Sequence, residues 1–104
     1  MSMDRVLSMI GLSAKAGKVK SGEFAVEQAV KSSKAYMVIV AEDASENSKK
    51  SYRDMCAYYE VPLFFYGNKE ELGASCGKEF RASVAIMDEN LAKAVADKIS
   101  ASGR

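Results

Sequence analysis

"YMVIVA", residues 36–41, decides the fold. It is unbroken by any polar side chain, and Val38, Ile39 and Val40 at its centre are all β-branched. A strand with one wet face alternates apolar and polar residues, so a continuous run of this kind belongs to a central strand covered on both faces. With Ala35 the run reaches seven residues, far short of the about 20 that a membrane-spanning helix needs. Such a strand requires a layer on each side, and the flanking sequence supplies candidates for both.

Upstream, Ala25, Val26, Ala29 and Val30 fall at i, i+1, i+4 and i+5, the stripe of a helix that Ser21 can cap. "KVK" at 18–20 reads as a short extended piece, and Met3, Val6, Leu7, Ile10 and Ala14 give a first helix over 3–15. That N-terminal stretch superficially resembles the core of a secretory leader. Asp4, however, sits where a leader carries only positive charge, so the expectation is a cytoplasmic protein.

Downstream, Asp43 and Glu46 have the spacing of a capping box opening a third helix, striped by Tyr52, Met55, Cys56 and Tyr59. Pro62 disfavours helical geometry at Val61 and ends it. "LFFY" at 63–66 is the next strand, and Asn68 with Glu71 opens a short helix that the glycines at 73 and 77 close. "SVAIM" at 83–87 is a strand, after which Asp88 caps a last helix with Leu91, Ala94, Val95 and Ile99 inward. Helices alternating with short strands predict an α/β fold, a three-layer α/β/α sandwich around a small mixed sheet of about four strands. The order of those strands stays open.

The chain has 104 residues, 48% of them hydrophobic and 28% charged, and no linker, repeat or low-complexity tract divides it. One domain over 1–104 with a small core is expected. It contains no histidine, which excludes His-based acid–base catalysis, Cys-His nucleophilic pairs and His-containing zinc sites. Cys56 and Cys76 read as two buried structural thiols, although their spacing alone leaves a disulfide open. Glu42 and Asp43 suit a strand end and a helix cap better than an acid–base pair. No enzyme, cofactor or metal is expected.

Net charge is only +1, yet residues 13–34 hold five lysines against two acids. That surplus surrounds "SAKAGKVKSGEF" at 13–24, where Lys15, Lys18 and Lys20 are interleaved with Gly17 and Gly22 ahead of the second helix. Mobile ammonium groups beside a glycine-broken loop and a helix N-terminus are suited to phosphate contacts. Gly22 serves either a turn that needs no Cβ or close approach of a nucleic-acid backbone. Glu23 either complements the helix dipole or accepts from a base amino group. Phe24 is either core or a stacking platform for an unpaired base. At "GKEFRAS", 77–83, Lys78, Phe80 and Arg81 form either a solvated loop with its ring tucked under, or a base-and-phosphate grip. "SKKSYR" at 48–53 is also basic but reads as a solvated helix face.

"GKVKSGEFAVEQAV", "MVIVAEDAS", "CAYYEVP" and "NKEELGASCGKEFRASVAI" occur in an order and spacing that resembles the kink-turn-binding ribosomal-protein superfamily, the seven-Ae and thirty-e type. Within it, the "SGE", "EDAS", "C-x-YY-x-VP" and "LG-x-S-x-GKE-x-R" blocks are most similar to the small bacterial YlxQ-like proteins. The resemblance runs from about residue 5 to 99. It implies an α/β/α sandwich that binds structured RNA, ribosomal RNA among the candidates, as a monomer and without enzymatic activity. The implied surface is the start of the second helix (Ser21, Gly22, Glu23, Phe24, Gln28) with the loop before the last strand. Kink-turn binders carry Gly-x-Asn-Glu-x-x-Lys at that helix. Here Gly22 matches, while Phe24 and Ala25 replace the Asn and Glu, and Gln28 replaces the Lys. The glycine carries over and the base-reading trio does not. A protein-interaction module on the same fold is therefore the competing expectation.

Overall fold

The computed structural model describes residues 4–102. Along the chain run α1 (Arg5–Lys15), β1 (Val19–Ser21), α2 (Glu23–Lys31), β2 (Met37–Val40), α3 (Glu46–Tyr59), β3 (Leu63–Phe65), α4 (Lys69–Ser75), β4 (Ser83–Ile86) and α5 (Glu89–Ser102). Met3, assigned by its spacing to the first helix, lies outside the described residues.

β2 is buried at every position, as its unbroken apolar run requires. The sheet order is β1-β4-β2-β3, with β2 and β3 parallel and the other neighbours antiparallel. Alternation along β2 and β4 sends their side chains to two clusters. Met37, Ile39, Val84 and Ile86 pack with Val6 and Ile10 of α1, Leu72 of α4, and Val95 and Ile99 of α5. Val38, Val40 and Ala85 pack on the opposite face with Val26 and Val30 of α2 and Cys56 of α3. This is the three-layer sandwich.

One polar pair crosses the second cluster. The Tyr52 hydroxyl of α3 and the Ser83 hydroxyl of β4 are hydrogen-bonded at 2.6 Å, both buried. Burial raises the Tyr52 pKa, and the Ser83 bond works against that rise.

The helix boundaries follow capping chemistry, with corrections. Asp4 caps α1 through Leu7 N at 3.0 Å and also accepts from the Tyr66 hydroxyl at 2.6 Å. Asn68 and Glu71 make the reciprocal capping box of α4, and Asp88 Oδ2 accepts from Leu91 N of α5. α3 is capped by Ser45, whose Oγ accepts from Ser48 N, and not by Asp43. A turn closed by Ala44 N on Ala41 O delays the helix. Asp43 Oδ1 instead accepts from Lys69 N at 2.9 Å, tying this loop to α4. Tyr59 is exposed rather than inward, because α3 ends there with Glu60 left-handed (φ 57°) and the Tyr59 ring meets Tyr58 edge-on.

Gly73 lies inside α4 and does not end it; the left-handed Gly77 follows that end. A Cβ on Gly73 would collide with the Glu79 carbonyl and stand 2.9 Å from Phe80 N. The glycine therefore lets the backbone of 79–80 lie directly against α4. Both cysteines are free. Cys56 is buried, which pushes its thiol up to about 11. Cys76 is only half-buried, a correction to its expected burial, and desolvation still raises its thiol.

Candidate nucleic-acid interface

β1 is an edge strand, and its last residue passes straight into α2. Ser21 is thus strand and not cap; the N-cap is Gly22, at φ 95° and ψ 156°, a conformation open to glycine. Gly22 offers no side chain to the first-turn amides, whereas α1, α3, α4 and α5 are each capped by a side-chain oxygen. The amides at the start of α2 consequently face outward with the positive end of the helix dipole.

The loop before β4 is seated beside this helix start. Gly22 N donates to Ser83 O at 3.0 Å, and Arg81 Nε donates to Ser21 Oγ at 3.2 Å. A Cβ on Gly22 would lie 3.7 Å from Arg81 Cδ and Nε, in ordinary contact, so the positive φ and not crowding demands glycine here. Arg81 is held from two more directions, by its amide on Lys69 O (3.0 Å) and by Nη1 on Phe80 O (2.8 Å). A guanidinium fixed over an uncapped helix N-terminus concentrates positive potential at one place.

Two large side chains close in sequence to this contact stand in the open. Phe24 is 74% exposed and Phe80 is 62% exposed, so neither ring is core. Ala25 is half-buried, which leaves Val26, Ala29 and Val30 as the buried stripe of α2. Glu23 is exposed in the first turn of α2, and Gln28 is exposed one turn on. Lys20, Phe24 and Gln28 line a shallow groove of about 410 Å³. Lys15, Lys18 and Lys78 are exposed as well, but Lys15 and Lys78 line neither this groove nor the one next to it. "SKKSYR" is mixed: Lys50 is exposed and paired with Asp54, Tyr52 is buried, and the Arg53 guanidinium lies 5.7 Å from the Phe65 ring centroid.

The structure thus brings Ser21, Gly22 and Arg81 into direct contact and gathers Lys20 of β1 with Phe24 and Gln28 of α2 in one groove. Sequence reasoning missed Lys34, Tyr36 and Met87, which line the same grooves. Their signal was weak: they lie between elements, and only the sheet order brings 17–20, 33–36 and 87 together. Among the described residues, no group of three or more Asp, Glu or Cys side chains could hold a metal ion.

Comparison with known proteins agrees with this architecture. The profile of the Ribosomal protein L7Ae/L30e/S12e/Gadd45 family matches residues 4–96. The chain is 40% identical over 84 residues to the RNA-binding protein YlxQ of Bacillus subtilis (strain 168), covering 81% of this chain and 84% of that protein. It is 39% identical over 89 residues to the RNA-binding protein YlxQ of Enterococcus faecium, covering 86% and 85%. Among solved structures, a protein of unknown function from Bacillus halodurans C superposes with a TM-score of 0.90 at 32% identity, over 94% of this chain and 99% of that one. The Giardia lamblia 15.5kD RNA binding protein superposes with a TM-score of 0.76 at 25% identity, over 92% and 82%. With the family profile spanning nearly its whole length and YlxQ proteins at about 40% identity, this chain belongs to the ribosomal protein L7Ae/L30e/S12e/Gadd45 family, as a YlxQ-like member.

Proposed function

We propose that this protein is a small, non-enzymatic RNA-binding protein that grips bent or kink-turn-like RNA, ribosomal RNA among its targets. It acts as a monomer in the cytoplasm. One observation carries the reading: an uncapped, glycine-opened helix N-terminus is locked against Arg81, with the neighbouring residues Phe24 and Phe80 exposed. Amides at Gly22 and the lysines of 15–20 hold phosphates, Phe80 and Arg81 close over an extruded base, and Phe24 offers a second ring. The relatives named RNA-binding proteins support the same reading. Among the described residues, no helix is long and apolar enough to cross a membrane.

The second reading, a protein-interaction module, is favoured by Phe24, Ala25 and Gln28 standing where kink-turn binders carry polar base-readers. A fluorescence titration separates the two. A kink-turn RNA and a straight duplex of equal length are each titrated at two salt concentrations. The expected result is tighter binding of the bent RNA, weakening steeply with salt. Absence of binding to either RNA at the lower salt would overturn the proposal and leave the interaction module.

A further inference from the structure

We propose that the surface between the end of α2 and the edge strand β1 is a second subsite, which takes single-stranded RNA leaving the bent element. It rests on the RNA reading above and adds a separate place and a separate ligand form.

The groove beside Phe24 and Gln28 does not stop at the helix. It shares Lys20, Lys34 and Met87 with a neighbouring depression of about 360 Å³ that also touches Lys18 and Tyr36. Through those shared residues the two form one continuous channel. No carboxylate lines either part. Lys18, Lys20 and Lys34 make no ion pair among the described residues. Lys31, on the same helix end, is by contrast paired with Glu27 at 2.8 Å. An anionic strand laid in this channel would meet three cations and no carboxylate.

The channel is preformed. Met87 N donates to Lys18 O at 2.7 Å and Tyr36 N to Ile86 O at 2.8 Å, so the three segments that line it are pinned by backbone bonds. Lys20 pairs with Ala85 in the β1–β4 register, and Ala85 belongs to the cluster under α2 and α3, which places Lys20 on the channel face. Lys34 is set by its amide on Ala29 O at 2.9 Å, after Ser33 in the left-handed region at φ 62°. Ser33 closes α2 as Glu60 closes α3, which fixes where Lys34 leaves the helix.

Tyr36 determines the form of the ligand. Tyr36 is 49% exposed where it lines the depression with Lys18 and Lys34, and it also borders a groove beside α5 that holds Glu89. A base in a duplex has both faces covered by its neighbours, whereas an unpaired base has a face free to stack. Exposed lysines beside two open rings, Phe24 in one part of the channel and Tyr36 in the other, suit a single strand.

The test uses fluorescence anisotropy with a blunt-ended kink-turn RNA and the same RNA carrying a six-uridine tail on its 5′ or 3′ end. Wild type is compared with Tyr36→Ala, an exposed position outside the groove beside Phe24 and Gln28. One of the tails is expected to tighten wild-type binding about tenfold, the scale of one stacked base. The variant should lose that gain while binding blunt RNA within about twofold of wild type. With 4-thiouridine in the tail, the cross-linked peptide should contain Tyr36, a readout that a folding defect in the variant cannot imitate. A tail that adds nothing, a gain that survives in the variant, or cross-links elsewhere would overturn the subsite and leave the RNA reading intact. Failure of the wild type to bind either RNA would overturn both.

Discussion

Water already touches most of the Phe80 and Phe24 rings, so neither behaves as a core phenylalanine on truncation. Removing a buried Phe costs about 3–5 kcal/mol of stability. Phe80→Ala should instead leave the Tm close to wild type and weaken RNA binding by about 1–3 kcal/mol, the worth of a base stacked on an aromatic side chain. The slope of log K against log salt should not change. A thermal melt run beside the titration checks it, and a lowered Tm with intact affinity would return Phe80 to the core. The residues at 77–83 left this choice open, and the structure shows why sequence could not close it. Gly73, read as a helix terminator, instead admits the backbone of Glu79 and Phe80 against α4. What packs there is main chain. The same limit applies to Asp43 and Ser45: both cap helices well, and a single extra turn decided between them.

At the scale of elements, the bond between Tyr52 and Ser83 ties α3 to β4 in the interior of the α2–α3 layer. Either Tyr52→Phe or Ser83→Ala leaves one buried hydroxyl without its partner, at a cost of about 1–3 kcal/mol. The double substitution should cost less than the sum of the two, because it removes both unsatisfied groups together. Urea unfolding of the four proteins of that cycle measures the coupling; strict additivity would mean that no such bond forms. Nothing in the sequence announced this pair, since its members lie 31 residues apart. Local signals were read more successfully. The apolar run at 36–41, the Asn68–Glu71 box and the Asp88 cap each specify their element from within a few residues. Ser21 failed as a cap because β1 extends one residue further than "KVK" and hands the cap to Gly22.

For the molecule as a whole, a net charge of +1 provides little general attraction for a polyanion, so affinity must come from where the lysines stand. Lys18→Ala with Lys20→Ala should weaken RNA binding across sequences. For every phosphate that no longer meets a lysine, the salt slope should fall by roughly 0.7–0.9. Titration at several salt concentrations reads this directly, and an unchanged slope would move the phosphate track off the 15–20 loop. The layered fold was legible because periodicity is local. The strand order was not, because it pairs residues that periodicity never compares: β4, last in sequence, is inserted between β1 and β2. That insertion also governs when the surface can exist. A ribosome releases β1, α2, β2, α3 and β3 before any of β4, and Gly22 must wait for the Ser83 carbonyl and Ser21 for Arg81. A chain interrupted between residues 34 and 81 has the lysines of 15–34 but not the grip. Synthesis past Ser83 is therefore the event that assembles this surface, and under the RNA reading proposed above shorter nascent chains would lack it.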